Sequence, residues 1–142
     1  MDVAILVAII SLFSSIIVAI VVHFLNKKKE MENYWKERKL QHYKELLTAI
    51  SDLAIDDKDK TEANVRFAEA SNTICLVADQ NVISALMAFH DYAKSLSREG
   101  GIDKHDMLLK DLLLEIRRDI GVSKKDDKET FSYHLVGARP RT

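Results

Sequence analysis

Val3 to Leu25 reads VAILVAIISLFSSIIVAIVVHFL, an apolar run without one Asp, Glu, Lys or Arg, and Asn26 and Lys27-Lys28-Lys29 follow it directly. A helix rises about 1.5 Å per residue, so the run reaches roughly 34 Å, enough to cross a hydrocarbon core about 30 Å thick with slight tilt. The run predicts a transmembrane anchor over residues 1–26. A cleavable leader needs a basic n-region, an apolar stretch of about 7–15 residues and a small-residue exit. Met1-Asp2 carries no basic side chain, and Val21-Val22-His23-Phe24-Leu25 ends the run without a small-x-small pair. A core helix in a chain of 142 residues has no need of so long an uncharged run.

Basic residues beside a span are held on the cytoplasmic side. With Asp2 before the run and three lysines after it, the expectation is a single-pass protein of the cell's inner membrane, N-terminus outside and C-terminal body cytoplasmic. Lys27, Lys28 and Lys29 are then placed for lipid headgroups. Ala4, Ala8, Ser11, Ser15 and Ala19 recur at steps of four and three, a small-residue stripe along which a second span can approach closely. A homo-oligomer through this face is one reading; the ordinary Ala and Ser content of a span is the other. His23 is expected at the interface.

Behind the anchor the charge balances. Apart from Asp2 the chain carries 21 basic and 21 acidic residues, which excludes the broad cationic surface that nucleic-acid binding requires. Lys27 to Glu45 has seven basic and four acidic residues and Leu46 to Val122 nine and fourteen, so the near end is basic and the far body acidic. A basic near end suits anionic lipid, although Glu30, Glu32 and Glu37 among the lysines suit an ordinary solvated helix equally well. The only cysteine, Cys75, falls in an apolar pattern and is expected to be a buried, reduced thiol. One Pro and four Gly in the whole chain favour long helices over turn-rich sheets.

The segment 27–122 is expected to form a small cytoplasmic four-helix bundle, making the fold all-α. A helix from Lys27 to about Ala54, able to continue directly from the span, has Leu40, Tyr43, Leu47, Ile50 and Ala54 as its stripe, with Tyr34 and Trp35 packing on the domain. After Asp56 to Lys60, Thr61 reads as the N-cap of a second helix with the stripe Ala63, Phe67, Ala70, Ile74 and Val77. Asp79-Gln80-Asn81 reads as a break before a third helix bearing Val82, Leu86, Phe89, Ala93 and Leu96, which Gly100-Gly101 ends. Asp103 reads as the cap of the fourth helix, whose stripe is Leu109, Leu113, Ile116 and Ile120 and whose stop is Gly121. From Ser123 to Thr142 a flexible tail is expected, in which Phe131, Tyr133 and Leu135 alternate as in a strand able to pair with a partner.

No pattern of catalytic chemistry is present. His23, His42, His90, His105 and His134 form neither H-x-x-x-H nor H-E-x-x-H, and phosphate-loop, dinucleotide and nucleophile-elbow glycine motifs are absent. His90-Asp91 and His105-Asp106 read as surface pairs. Arg117-Arg118-Asp119 has the chemistry to grip a phosphate or carboxylate, but helix capping and surface pairing account for it without a ligand. The reading is therefore non-enzymatic, with neither cofactor nor metal.

At Tyr43-Lys44-Glu45-Leu46-Leu47, at Ile74 to Ile83 (ICLVADQNVI) and at Glu115 to Gly121 (EIRRDIG), the chain resembles small prokaryotic membrane-anchored helical proteins of unknown function, over roughly residues 40–121. The resemblance implies a helical fold and a membrane setting, and no catalytic residue. Two functions compete on this basis. One is a membrane-anchored interaction or scaffold module for a protein partner. The other is a membrane effector of the toxin or phage-defence type, whose spans associate through the Ala4 to Ala19 face and perturb the bilayer.

Overall fold

The computed structural model describes residues 2–55, 59–95, 101–122 and 126–133. The chain folds into four helices, α1 (Val3–Ala54), α2 (Lys60–Ile74), α3 (Gln80–Lys94) and α4 (Gly101–Asp119), with no strand among the described residues. It divides into two compact units, Met1–Glu37 and Arg38–Thr142. Nothing in the sequence of α1 breaks a helix, because the first Gly is Gly100 and the one Pro is Pro140, and α1 runs on past Leu25.

The second unit has its own core. Tyr43, Leu46 and Ile50 from α1 meet Phe67 and Ile74 from α2, Val82, Leu86 and Phe89 from α3, and Leu109, Leu112 and Ile116 from α4. α3 and α4 approach each other most closely, with the small Ala85 and the larger Leu108 packed at the edge of this cluster. The expected stripes are right in period and partly wrong in phase. Leu46 replaces Leu40 and Leu47 at the centre of the α1 face, and Leu112 replaces Leu113 on α4. In each place adjacent leucines offer two registers, and steps of three and four running 43, 46, 50 and 109, 112, 116 are the ones the core selects.

The ends of the helices correct the sequence reading in several places. Asp59, not Thr61, caps α2: its carboxylate accepts from the backbone N–H of Thr61 at 2.8 Å and of Glu62 at 3.4 Å. Asp59→Ala is therefore expected to lower stability by about 1 kcal/mol, while Thr61→Ala leaves it nearly unchanged. Urea titration of the two variants separates them. The break between α2 and α3 is present but begins early, at Cys75, so Val77 joins the core from a turn and Cys75 is exposed rather than buried. α3 ends at Lys94, so Gly100-Gly101 does not end it; Gly101 instead opens α4, and Asp103 lies in its first turn rather than at its cap. Ala93 is exposed, and Leu96 lies outside the described residues.

Gly121 does stop α4. Its φ is +74°, its N–H bonds to Arg118 O at 3.1 Å and the Val122 N–H bonds to Arg117 O at 3.1 Å, the paired closure of a left-handed helix terminus. A methyl group at Gly121 would meet nothing within 4 Å, so only the backbone resists it. Gly121→Ala is expected to cost about 1–2 kcal/mol by thermal or chemical denaturation, with no change in helix content.

The flexible tail expected from residue 123 is, over Asp126–Tyr133, folded back on the second unit. Lys128 pairs with Asp111 at 2.8 Å, Lys110 donates to Lys128 O at 3.1 Å, and Tyr133 packs against the core.

Candidate functional site

In the unit Met1–Glu37 the apolar side chains of α1 are open to their surroundings: Phe13 and Leu25 are 62 % exposed, and none of the most hydropathic stretch is buried. Ala4, Ala8, Ser11, Ser15 and Ala19 are all exposed. The two serines of this stripe donate to their own helix, Ser11 Oγ to Val7 O at 2.9 Å and Ser15 Oγ to Ser11 O at 2.8 Å. Each hydroxyl oxygen is left to accept, and no donor is spare for a neighbouring helix. Lys27, Lys28 and Lys29 are exposed on the same helix. Tyr34 and Trp35 remain more than half exposed and stand edge to face, 6.1 Å between ring centroids.

In the unit Arg38–Thr142, Asp119 is the polar centre. It is the last residue of α4, where the helix dipole disfavours a carboxylate. Three donors offset that cost. Lys39 Nζ lies 2.6 Å from Oδ1, the Tyr43 hydroxyl donates to Oδ2, and the Asp79 N–H reaches Oδ2 at 3.5 Å. Lys39 also meets the Asp79 carboxylate at 3.5 Å. The node thus joins α1, the turn before α3 and the end of α4. Burial pushes the Asp119 carboxyl up, but hydrogen bonds from Lys39 and Tyr43 outweigh it and hold the group below its ordinary value. Tyr43 is held above its ordinary value, first by burial and then by the Asp119 carboxylate it faces. An ionised carboxylate saturated by donors is suited to fastening helices, not to taking protons from a substrate.

The neighbouring arginines are turned to the chain itself. Arg117 Nε lies 2.7 Å from Asp126 Oδ2 and its guanidinium 5.5 Å from the Phe131 ring centroid; Arg118 meets Glu115 at 2.6 Å and the Asp126 carbonyl at 3.1 Å. The anion grip that Arg117-Arg118-Asp119 suggested is filled from within by Glu115, Asp126 and Phe131. Phe131 and Tyr133, expected in a partner-binding strand, are half-buried against these intramolecular contacts, and Leu135 lies outside the described residues.

Elsewhere the chemistry is sparse. His90 Nδ1 is 3.3 Å from Asp91 and His105 Nδ1 is 3.2 Å from Asp106, so these neighbours do meet despite their different headings on the helix. Among the described residues no three His, Cys, Asp or Glu side chains converge to hold a metal ion. No protein-family model matches the chain, and neither a curated protein nor a solved structure matches it.

Proposed function

We propose that this chain is a single-pass, membrane-anchored helical interaction or scaffold module without enzymatic activity. Residues 1–26 anchor it, residues 27–122 form the cytoplasmic four-helix bundle, and the N-terminus faces outward. The observation that carries this reading is the contrast within one chain. The apolar side chains of Val3–Leu25 are exposed, while the residues after Arg38 bury a core of their own. Uncovered apolar surface of that extent calls for lipid or for another span. The same setting is implied by the resemblance to small prokaryotic membrane-anchored helical proteins. Lys27, Lys28 and Lys29 act at the cytoplasmic headgroups, and the partner is a protein rather than a nucleic acid.

The effector reading retains one specific support, the exposure of the whole Ala4 to Ala19 stripe. Expression in cells separates the two. The scaffold reading expects crosslinking from the cytoplasmic side to yield a reproducible protein partner with membrane potential intact. Growth arrest with depolarisation, abolished by Ala8→Leu together with Ser15→Leu, would favour the effector. Protease added outside intact cells and cutting within residues 38–133 would overturn the orientation in either case.

A further inference from the structure

Along α2 and α3 runs a groove of about 390 Å³, within the range of small-molecule sites. Leu53, Phe67, Ala68 and Met87 give it an apolar lining, and among the described residues its ionisable lining groups are His90 and Lys94, without a carboxylate. The His90 ring stacks on Phe67, centroids 6.1 Å apart and planes inclined by 16°. Asp91, the nearest acid on the same helix, is held at His90 Nδ1 and is not in the lining.

Ser71 also lines the groove, is 8 % exposed, and its hydroxyl has no hydrogen-bond partner. Ser11, Ser14, Ser15, Ser51 and Thr73 each donate to the carbonyl four residues back, the usual refuge of a helical hydroxyl. Ser71 does not. A buried hydroxyl without a partner is costly, and Ser71 lacks the bond that these five make.

The chain reverses between Ile74 and Gln80, and Phe67 lies opposite His90, so Lys94 falls toward the Asn64 end of the groove and Ser71 toward the Met87 end. The two ends are separated by about two helical turns, roughly 10 Å, the length of an extended eight-bond aliphatic chain. We propose that the groove binds an elongated organic monoanion, with its carboxylate at Lys94, its apolar body on Phe67 and Leu53, and a carbonyl oxygen accepting from Ser71. Positive charge at one end, an apolar body between and an unspent donor at the other end together specify this polarity.

Monomethyl azelate has these three parts and serves as the probe. The full chain in lipid nanodiscs, labelled at its methionine methyl groups, provides the readout, because Met87 lines the groove whereas Met31 and Met107 do not. The expected result is a saturable shift of the Met87 methyl signal with Met31 and Met107 unmoved. Lys94→Glu should weaken binding at least tenfold, and Ser71→Ala should remove the preference for the ester over decanoate. Ala68→Trp, at an exposed lining position, should abolish the shift. The Met107 signal at its native position reports that each variant is folded. A Met87 signal that never moves, or that moves only in step with Met31 and Met107 as bilayer partitioning would produce, overturns the proposal. Lys94→Glu binding as tightly as the unaltered chain overturns the assignment of the carboxylate.

Discussion

Deletion of residues 3–25 is expected to move nearly all of the protein from the membrane pellet to the supernatant after an alkaline carbonate wash. For the proposed anchor, the magnitudes decide which part of the chain would hold it to a bilayer. The deleted stretch contains sixteen Leu, Ile, Val and Phe residues. At about 0.3–0.6 kcal/mol each on an insertion scale, they favour the lipid by roughly 5–10 kcal/mol. Lys27, Lys28 and Lys29 add about 1 kcal/mol apiece at an anionic surface, and that part disappears in high salt. A protein held by its lysines would therefore leave the membrane with salt alone, and one held by the apolar run would not. Ile16→Arg, near the middle of the run, should cost about 2.5–3.5 kcal/mol, a roughly 70- to 400-fold loss in partitioning that leaves part of the protein in the membrane. A deletion variant that still pellets after carbonate would refute the anchor.

The legibility of this fold varies with the range of the interaction that fixes each feature. Gly121 could be placed from sequence because one residue supplies the left-handed backbone that the closure of α4 needs. The break after α2 was readable from the polar Asp79-Gln80-Asn81, but its start at Cys75 was not, since the apolar residues through Ala78 continue a helical pattern. Gly100-Gly101 misled because Gly can end a helix or begin one, and here Gly101 begins α4. Leu112-Leu113-Leu114 gives no phase by itself; packing buries Leu112 and Leu114 and leaves Leu113 half-buried. The Asp119 node was least readable of all. Its partners Tyr43 and Lys39 lie 76 and 80 positions away, and a lysine on a charged helix carries no local mark of an ion pair with the far end of the chain. The docking of residues 126–133 was hidden for the same reason, its anchors being Asp111 and Arg117 on α4.

Asp119→Ala should be the most destabilising polar substitution in the second unit, by about 2–4 kcal/mol in urea or thermal unfolding. The alanine leaves the Tyr43 hydroxyl, on a residue only 1 % exposed, without its acceptor, and it leaves Lys39 without its closest anion. Lys39 retains 20 % side-chain exposure and can turn toward water, which keeps the loss below that of a fully buried pair. Asp119→Asn keeps an acceptor for Tyr43 and gives up the charge, so it should lose less. The pH dependence distinguishes charge from packing. The folded carboxyl titrates below the ordinary 3.8, so the unfolded chain takes up this proton first. Its contribution is complete above the ordinary carboxylate range and is lost as pH falls through the lower folded value. Tyr43 works in the opposite sense: its folded value lies above the ordinary 10.0, so above that pH the unfolded chain ionises first and stability drains away. Asp119→Asn should flatten the stability curve below pH 4, and Tyr43→Phe should flatten it above pH 10. If the Asn variant falls as steeply with acid as the parent, the node is held by packing and not by charge.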